Sequence, residues 1–239
     1  MRYTLTYMSE NPEIKALFDA GAHIGYGKAR RHPKMDEYIF GIRNNVEIFD
    51  LDKTFLKLKE AREFLKSLGK EGKMVLWVGT KPAASKSTAS TGERLGAPYV
   101  AKRWLGGTIT NFKVIGERLA YLDKLENDEK TGGFAKYLKK ERLLKETELR
   151  KMSITFKGIR NLKTTPDAIV IVDPGEELAV FREAGRKNIP VIGLLNSDCN
   201  PEGVKYVIPA NDNSSAAISV ILDSLSAAYE TGRGERAKV

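Results

Sequence analysis

Three short stretches of this chain carry no polar side chain: residues 74–78, 168–172 and 191–195. A strand with no polar side belongs in a sheet covered on both faces. Around these runs the apolar spacing changes to that of helices. Residues 52–68 carry Phe55, Leu58, Ala61, Leu65 and Leu68 on one side and end at Gly69 and Gly72. Further helices are expected over 82–95, 176–186 and 214–229, and short strands over 97–100 and 206–208. Strands alternating with helices make βαβ units, so the pattern predicts an α/β fold with a parallel sheet between two helical layers. Nearer the start, Asn11 and Pro12 open a short helix to Asp19. A glycine-rich loop over 21–27 and two short strands around Arg43-Asn44-Asn45 follow it.

Residues 108–156 break the alternation. Ile109, Phe112, Leu119, Leu122 and Leu125 recur at helical spacing, and after Gly132-Gly133 the spacing resumes with Phe134, Leu138, Leu144, Leu149 and Met152. Two antiparallel helices joined at a glycine tip are expected, a hairpin with coiled-coil pairing inserted into the α/β domain. The domain then comprises 10–107 and 157–232, the arm 108–156, and 1–9 and 233–239 are flexible tails.

Charge sharpens this picture. Lys and Arg number 40 against 31 Asp and Glu, for a net charge of +9. Residues 113–163 hold 14 basic and 8 acidic side chains, so the arm carries six of those nine charges. Such an excess favours a polyanionic partner, most often nucleic acid. The single cysteine, Cys199, rules out an internal disulfide and fits a reducing cytoplasm. No stretch approaches the ~20 apolar residues of a membrane span, and residues 1–10 lack the apolar core of a secretory signal.

The segment Lys102-Arg103-Trp104-Leu105-Gly106-Gly107-Thr108-Ile109-Thr110-Asn111 is the richest in candidate chemistry. Its cations can neutralise phosphates, its indole can stack or anchor, its glycines permit close backbone approach, and Thr108 can cap a helix. Trp104 is expected to be at least half buried at the root of the arm, with Arg103 outside. A second basic cluster, Lys28, Arg30, Arg31 and Lys34, follows the glycine-rich loop.

Enzymatic constellations are wanting. Gly79-Thr80-Lys81 follows a strand, but neither the three glycines of a dinucleotide loop nor the second glycine of a P-loop accompanies it. Lys81 at a helix start remains a candidate for phosphate. His23 and His32 have no partner at zinc-ligand spacing, and Cys199 has no histidine nearby in sequence. Asp167, Asp173 and Asp198 flank predicted strand ends, where α/β enzymes hold catalytic groups, but they are expected to cap helices and tighten turns instead. A nucleotide-using α/β enzyme is the competing reading; a free RNA-binding regulator is a third.

Taken in order, Gly21-Ala22-His23-Ile24-Gly25, His32-Pro33-Lys34-Met35, Tyr38-Ile39-Phe40-Gly41-Ile42-Arg43-Asn44, Gly79-Thr80-Lys81, Arg103-Trp104-Leu105-Gly106-Gly107-Thr108, Thr110-Asn111-Phe112, Pro166-Asp167-Ala168, Ile189-Pro190-Val191 and Val207-Ile208-Pro209-Ala210-Asn211-Asp212 resemble the bacterial family of the second small-subunit ribosomal protein. The resemblance spans residues 11–232. It implies a doubly wound (Rossmann- or flavodoxin-like) domain with a protruding helical hairpin. It also implies a cytoplasmic, ribosome-bound structural protein that lies on small-subunit rRNA between head and body and touches neighbouring proteins, the large first protein of the small subunit among them. No cofactor, metal, small-molecule substrate or membrane is implied. The rRNA contacts then fall to Lys28, Arg30, Arg31, Lys34, Arg43, Lys81, Lys102, Arg103, Asn111 and Lys113, with Trp104, Gly106 and Gly107 anchoring the arm. Tyr26 and Lys102 stand where the family usually or often has histidine, Arg30-Arg31 sits one place late, and Asn196-Ser197-Asp198 replaces the more usual Asp-Thr-Asn.

Overall fold

A computed structural model describes residues 11–162 and 164–237. Helix α1 (Pro12–Asp19) starts where Asn11 accepts a hydrogen bond from the Glu13 amide. Strands β1 (Ile24–Gly27), β2 (Ile39–Arg43) and β3 (Val46–Phe49) form a small antiparallel sheet in the order β1-β3-β2. Asn44 and Asn45, with φ of 48° and 62°, make the β2–β3 turn, a conformation asparagine tolerates better than most residues. Strand β1 was not expected. Two of its four residues are glycine, which hides the strand pattern, and its pairing partner supplies the order instead.

Helix α2 (Leu51–Glu71) is capped by Asp50 at its start and by left-handed Gly72 at its end. Then come β4 (Val75–Val78), α3 (Pro82–Leu95), β5 (Tyr99–Val100), α4 (Phe112–Lys130), α5 (Lys139–Phe156), β6 (Ala168–Val172), α6 (Leu178–Arg186), β7 (Val191–Leu195), β8 (Tyr206–Pro209) and α7 (Ser215–Arg236). The five larger-sheet strands are all parallel, in the order β5-β4-β6-β7-β8.

Alternate residues of these strands feed two separate cores. Val75, Trp77, Val170, Ile192 and Ile208 pack with Leu58 and Leu65 of α2, Leu95 of α3, and Ile218, Leu222 and Leu225 of α7. Leu76, Val78, Ile169, Ile171 and Leu195 pack on the other side with Val180 and Ala184 of α6, Trp104, and the apolar stripes of α4 and α5. The stripe residues Leu122, Leu125 and Leu149 are thus continuous with one core. Helices α2 and α7 touch backbone to backbone: a Cβ on Gly232 would sit 2.1 Å from the Lys66 carbonyl oxygen, and one on Gly69 would sit 2.4 Å from that of Tyr229.

Two expected boundaries move. Thr108 does not cap α4; its hydroxyl donates to the Leu105 carbonyl (2.6 Å), and the helix begins three residues after Ile109 with Asn111 at the N-cap position. Of the tail expected over 233–239, residues 233–236 are the last turn of α7, held by Arg233 donating to the Leu95 carbonyl (2.6 Å) and by Glu235 pairing with Lys66 and Lys70, and 238–239 lie outside the described residues. The tail expected over 1–9 lies outside the described residues.

Candidate nucleic-acid interface

The segment after β5 is organised by a side chain from elsewhere. Glu183 of α6 is 7% exposed and accepts five hydrogen bonds from residues 104–110. Trp104 Nε1 (2.9 Å) and the Gly107 amide (2.8 Å) reach Oε1. The Ile109 amide (3.1 Å), Thr110 amide (3.0 Å) and Thr110 hydroxyl (3.0 Å) reach Oε2. Burial alone would raise the Glu183 pKa, but these donors outweigh it and hold the carboxyl below the usual glutamate range. The anion replaces water for a turn of backbone N–H groups, and it fixes the indole, which is 8% exposed, against the core. Gly107, at φ 91°, allows the sharp reversal. Lys102 and Arg103 project from this rigid turn; both are exposed and have no carboxylate partner among the described residues. Asn111 and Lys113, at the start of α4, are exposed too.

The second basic cluster divides. Arg31 is bound inside the fold, with Nη1 2.6 Å from Asp36 and Nε 3.3 Å from Glu47, a carboxylate on β3 with no exposed surface. Arg30 lies over the Tyr26 ring (4.5 Å) and 3.8 Å from Asp198. Lys34 pairs with Glu202. The loop is tied down besides, since the His32 amide donates to the Ser197 carbonyl (2.8 Å) and the Tyr26 amide to the Ser197 hydroxyl (3.0 Å). Lys28 and Arg43 are exposed with no carboxylate partner among the described residues.

Lys81 has a different setting. The strand order reverses direction at β4 and β6, and ligands of open α/β sheets sit in the crevice at such a switch point. Here the chain's own charges fill that place. Lys81 Nζ is 2.7 Å from Asp173, which follows β6, and 2.5 Å from Asp212, which follows β8. Asn196, after β7, donates to Asp212 (2.6 Å), and Cys199 Sγ lies 3.1 Å from Asp173. Burial opposes the Lys81 charge, yet the two carboxylates raise its pKa far above the ordinary lysine value. Asp173 is held down by Lys81 against its own burial, while burial and the neighbouring Asp173 charge push Asp212 up. Burial and Asp173 push the Cys199 thiol up, away from the thiolate a nucleophile needs. With its charge neutralised twice, Lys81 is a brace between strand ends. His23, on whose pKa burial acts downward, stacks on Phe18 at 4.3 Å. Among the described residues no cluster of His, Cys, Asp and Glu could hold a metal ion, and no helix is long and apolar enough to cross a membrane.

A family model described as ribosomal protein S2 matches residues 17–232. The chain belongs to the ribosomal protein S2 family. It is accordingly a structural ribosomal protein and not an enzyme. Family members similar to it include the small ribosomal subunit proteins uS2 of Dictyoglomus turgidum and Dictyoglomus thermophilum, each 42% identical over 225 residues, covering 94% of this chain and 92% of the relative.

The sequence points to neither Glu183 nor Glu47, and it offers Tyr26 only as a departure from the family pattern. Glu183 looks like one more polar position on a helix, and its partners lie more than seventy residues away. Glu47 could have been suspected, because the alternation of Val46-Glu47-Ile48-Phe49 places it on the side of Phe49 and away from Val46 and Ile48, where a carboxylate needs a cation such as Arg31.

Proposed function

We propose that this chain is built into the small ribosomal subunit by binding its rRNA between head and body, through cations that the fold leaves free. The observation that carries this reading is the Lys102-Arg103 pair, exposed and unpaired on a turn whose backbone Glu183 fixes. A rigid mount lets two cations meet two phosphates without first ordering a loop. Lys28, Arg43, Asn111 and Lys113 extend the contact surface, Arg30 and Lys34 border it, and Arg31 and Lys81 support it from within. In this reading α4 and α5 form an antiparallel hairpin arm with coiled-coil pairing inserted into a doubly wound domain. Contacts between Tyr121 and Glu148 (3.3 Å) and between Ser153 and Glu126 (3.3 Å) support that pairing. The arm's basic surface and neighbouring faces serve protein contacts, the large first protein of the small subunit included, and the protein works in the cytoplasm as part of the ribosome.

The test is sedimentation of cell lysate through sucrose, with rRNA binding measured as a function of salt. The chain should travel with small subunits. Replacing Arg103 by Glu should release it at lower salt and flatten the slope of log K against log salt by about one to two counterions. An unchanged slope removes Arg103 from the interface.

A further inference from the structure

The small sheet has two unlike faces. Glu47 and Phe49 are 0% and 2% exposed and point into the protein; Gly25 lies against Glu47 on that side. Cross-strand pairing places Ile24 and Gly41 opposite Ile48, and Arg43 opposite Val46, on the other face. That face is uncovered. The register shift between Ile39 and Gly41 makes Phe40 the extra residue of a bulge, so that it stands with Gly41 against Ile48 instead of alternating to the inner face. Phe40 is 65% exposed and Ile24 42%, and nothing lies within 4 Å of where a Cβ on Gly41 would be. Arg43 is the charged residue at its end, and Lys28 follows directly after β1; neither has a carboxylate partner among the described residues. An exposed aromatic ring is thus followed by a bare glycine, with cations at two margins.

We infer that this face is a stacking platform for an unpaired RNA base, seated on Phe40 over Gly41, with its flanking phosphates on Arg43 and Lys28. The inference rests on the rRNA-binding reading above and adds the form of RNA. A base can lie flat on a ring only when it has left the helical stack, so the ligand is single-stranded RNA and not a duplex. The missing side chain at Gly41 leaves room for the base plane, and the cations give the site a charge complementary to phosphate. A protein partner is disfavoured because the apolar area is a few side chains wide, whereas a stable protein interface buries roughly 800 Å² on each side.

The experiment uses the full chain and an unstructured oligouridylate of about ten nucleotides. Phe40→Ala and Phe40→Leu should each weaken its binding about tenfold, because leucine keeps apolar area but has no ring. Melting temperature and salt slope should stay at the parent values, since Phe40 is exposed and uncharged. Phe40→Trp should bind like the parent, and its emission should be quenched by the oligonucleotide over a constant background from buried Trp77 and Trp104. Equal binding by Phe40→Leu and the parent overturns the platform, as does equal quenching by a duplex of the same length. Loss of a neighbouring protein from reconstituted subunits, with oligonucleotide affinity unchanged, overturns it in favour of protein docking. In each of these failures the Arg103 salt slope still reports separately on rRNA binding.

Discussion

Removing the Glu183 carboxylate should destabilise the free protein more than removing any surface charge. Glu183→Ala deprives five hydrogen-bond donors of their acceptor. Trp104 Nε1 and the Ile109 amide sit in residues that are 8% and 1% exposed, so water cannot replace it there; the Gly107 and Thr110 donors are half-buried and can rehydrate. A buried donor left unsatisfied costs about 1–3 kcal/mol, so two cost ~2–6 kcal/mol. That is a large share of the ~5–15 kcal/mol that holds a typical domain together. Glu183→Gln should fall between parent and alanine, because one amide oxygen can serve either the Trp104 and Gly107 pair or the Ile109 and Thr110 pair, while its NH₂ opposes the other. The sign with pH follows. The folded pKa lies below the unfolded value near 4.5, so the stabilisation is complete above pH 4.5 and is lost as pH falls through the folded pKa. Equilibrium urea unfolding at neutral pH and in mild acid measures both effects, and the gap between parent and Glu183→Gln should narrow in acid. An alanine variant that unfolds within ~0.5 kcal/mol of the parent at neutral pH would refute the claim that this carboxylate holds the turn.

Trp104→Ala should cost ~3–5 kcal/mol in thermal denaturation, whereas Arg103→Ala should cost under ~0.5 kcal/mol and lose rRNA affinity; the reverse pattern would make Trp104 the RNA-facing residue. Replacing residues 113–152 by a short linker should leave a folded α/β domain, seen by circular dichroism and gel filtration, that enters subunits poorly; outright unfolding would mean that the apolar stripe shared by α4, α5 and the sheet is indispensable. At pH 8 Cys199 should react with iodoacetamide on the order of 100-fold more slowly in the native protein than in urea, because burial and Asp173 oppose its thiolate.

What could be read ahead of the structure was what local chemistry determines. Runs such as 168–172 and 191–195 can only be strands buried on both faces, and Asn11, Gly72 and Ser214 announce helix ends through their own backbone preferences. The site was readable only as composition. A lysine after a strand invites an anion, and nothing near Lys81 in sequence says that Asp212, 131 positions later, already occupies it. Arg30 and Arg31 are neighbours of the same type, yet one lies at the surface over Tyr26 and the other against buried Glu47. Which cations remain free is a property of the packed chain, since a carboxylate partner is chosen by topology and not by spacing. The same holds for β1, whose glycines carry no strand preference and which exists because β3 offers it an edge.

The backbone contact between α2 and α7 bears on how the protein is made. Helix α7 emerges from synthesis after every element it covers, and with α1 and α2 it seals one face of the sheet, Trp77 included. Gly69 and Gly232, more than 160 positions apart, must meet at backbone distance for that seal to close. A chain interrupted anywhere before residue 215 therefore presents an open apolar face, the form that chaperones and proteases act on. Synthesis of residues 215–236 and closure of this core therefore go together, and a copy without α7 keeps that face open.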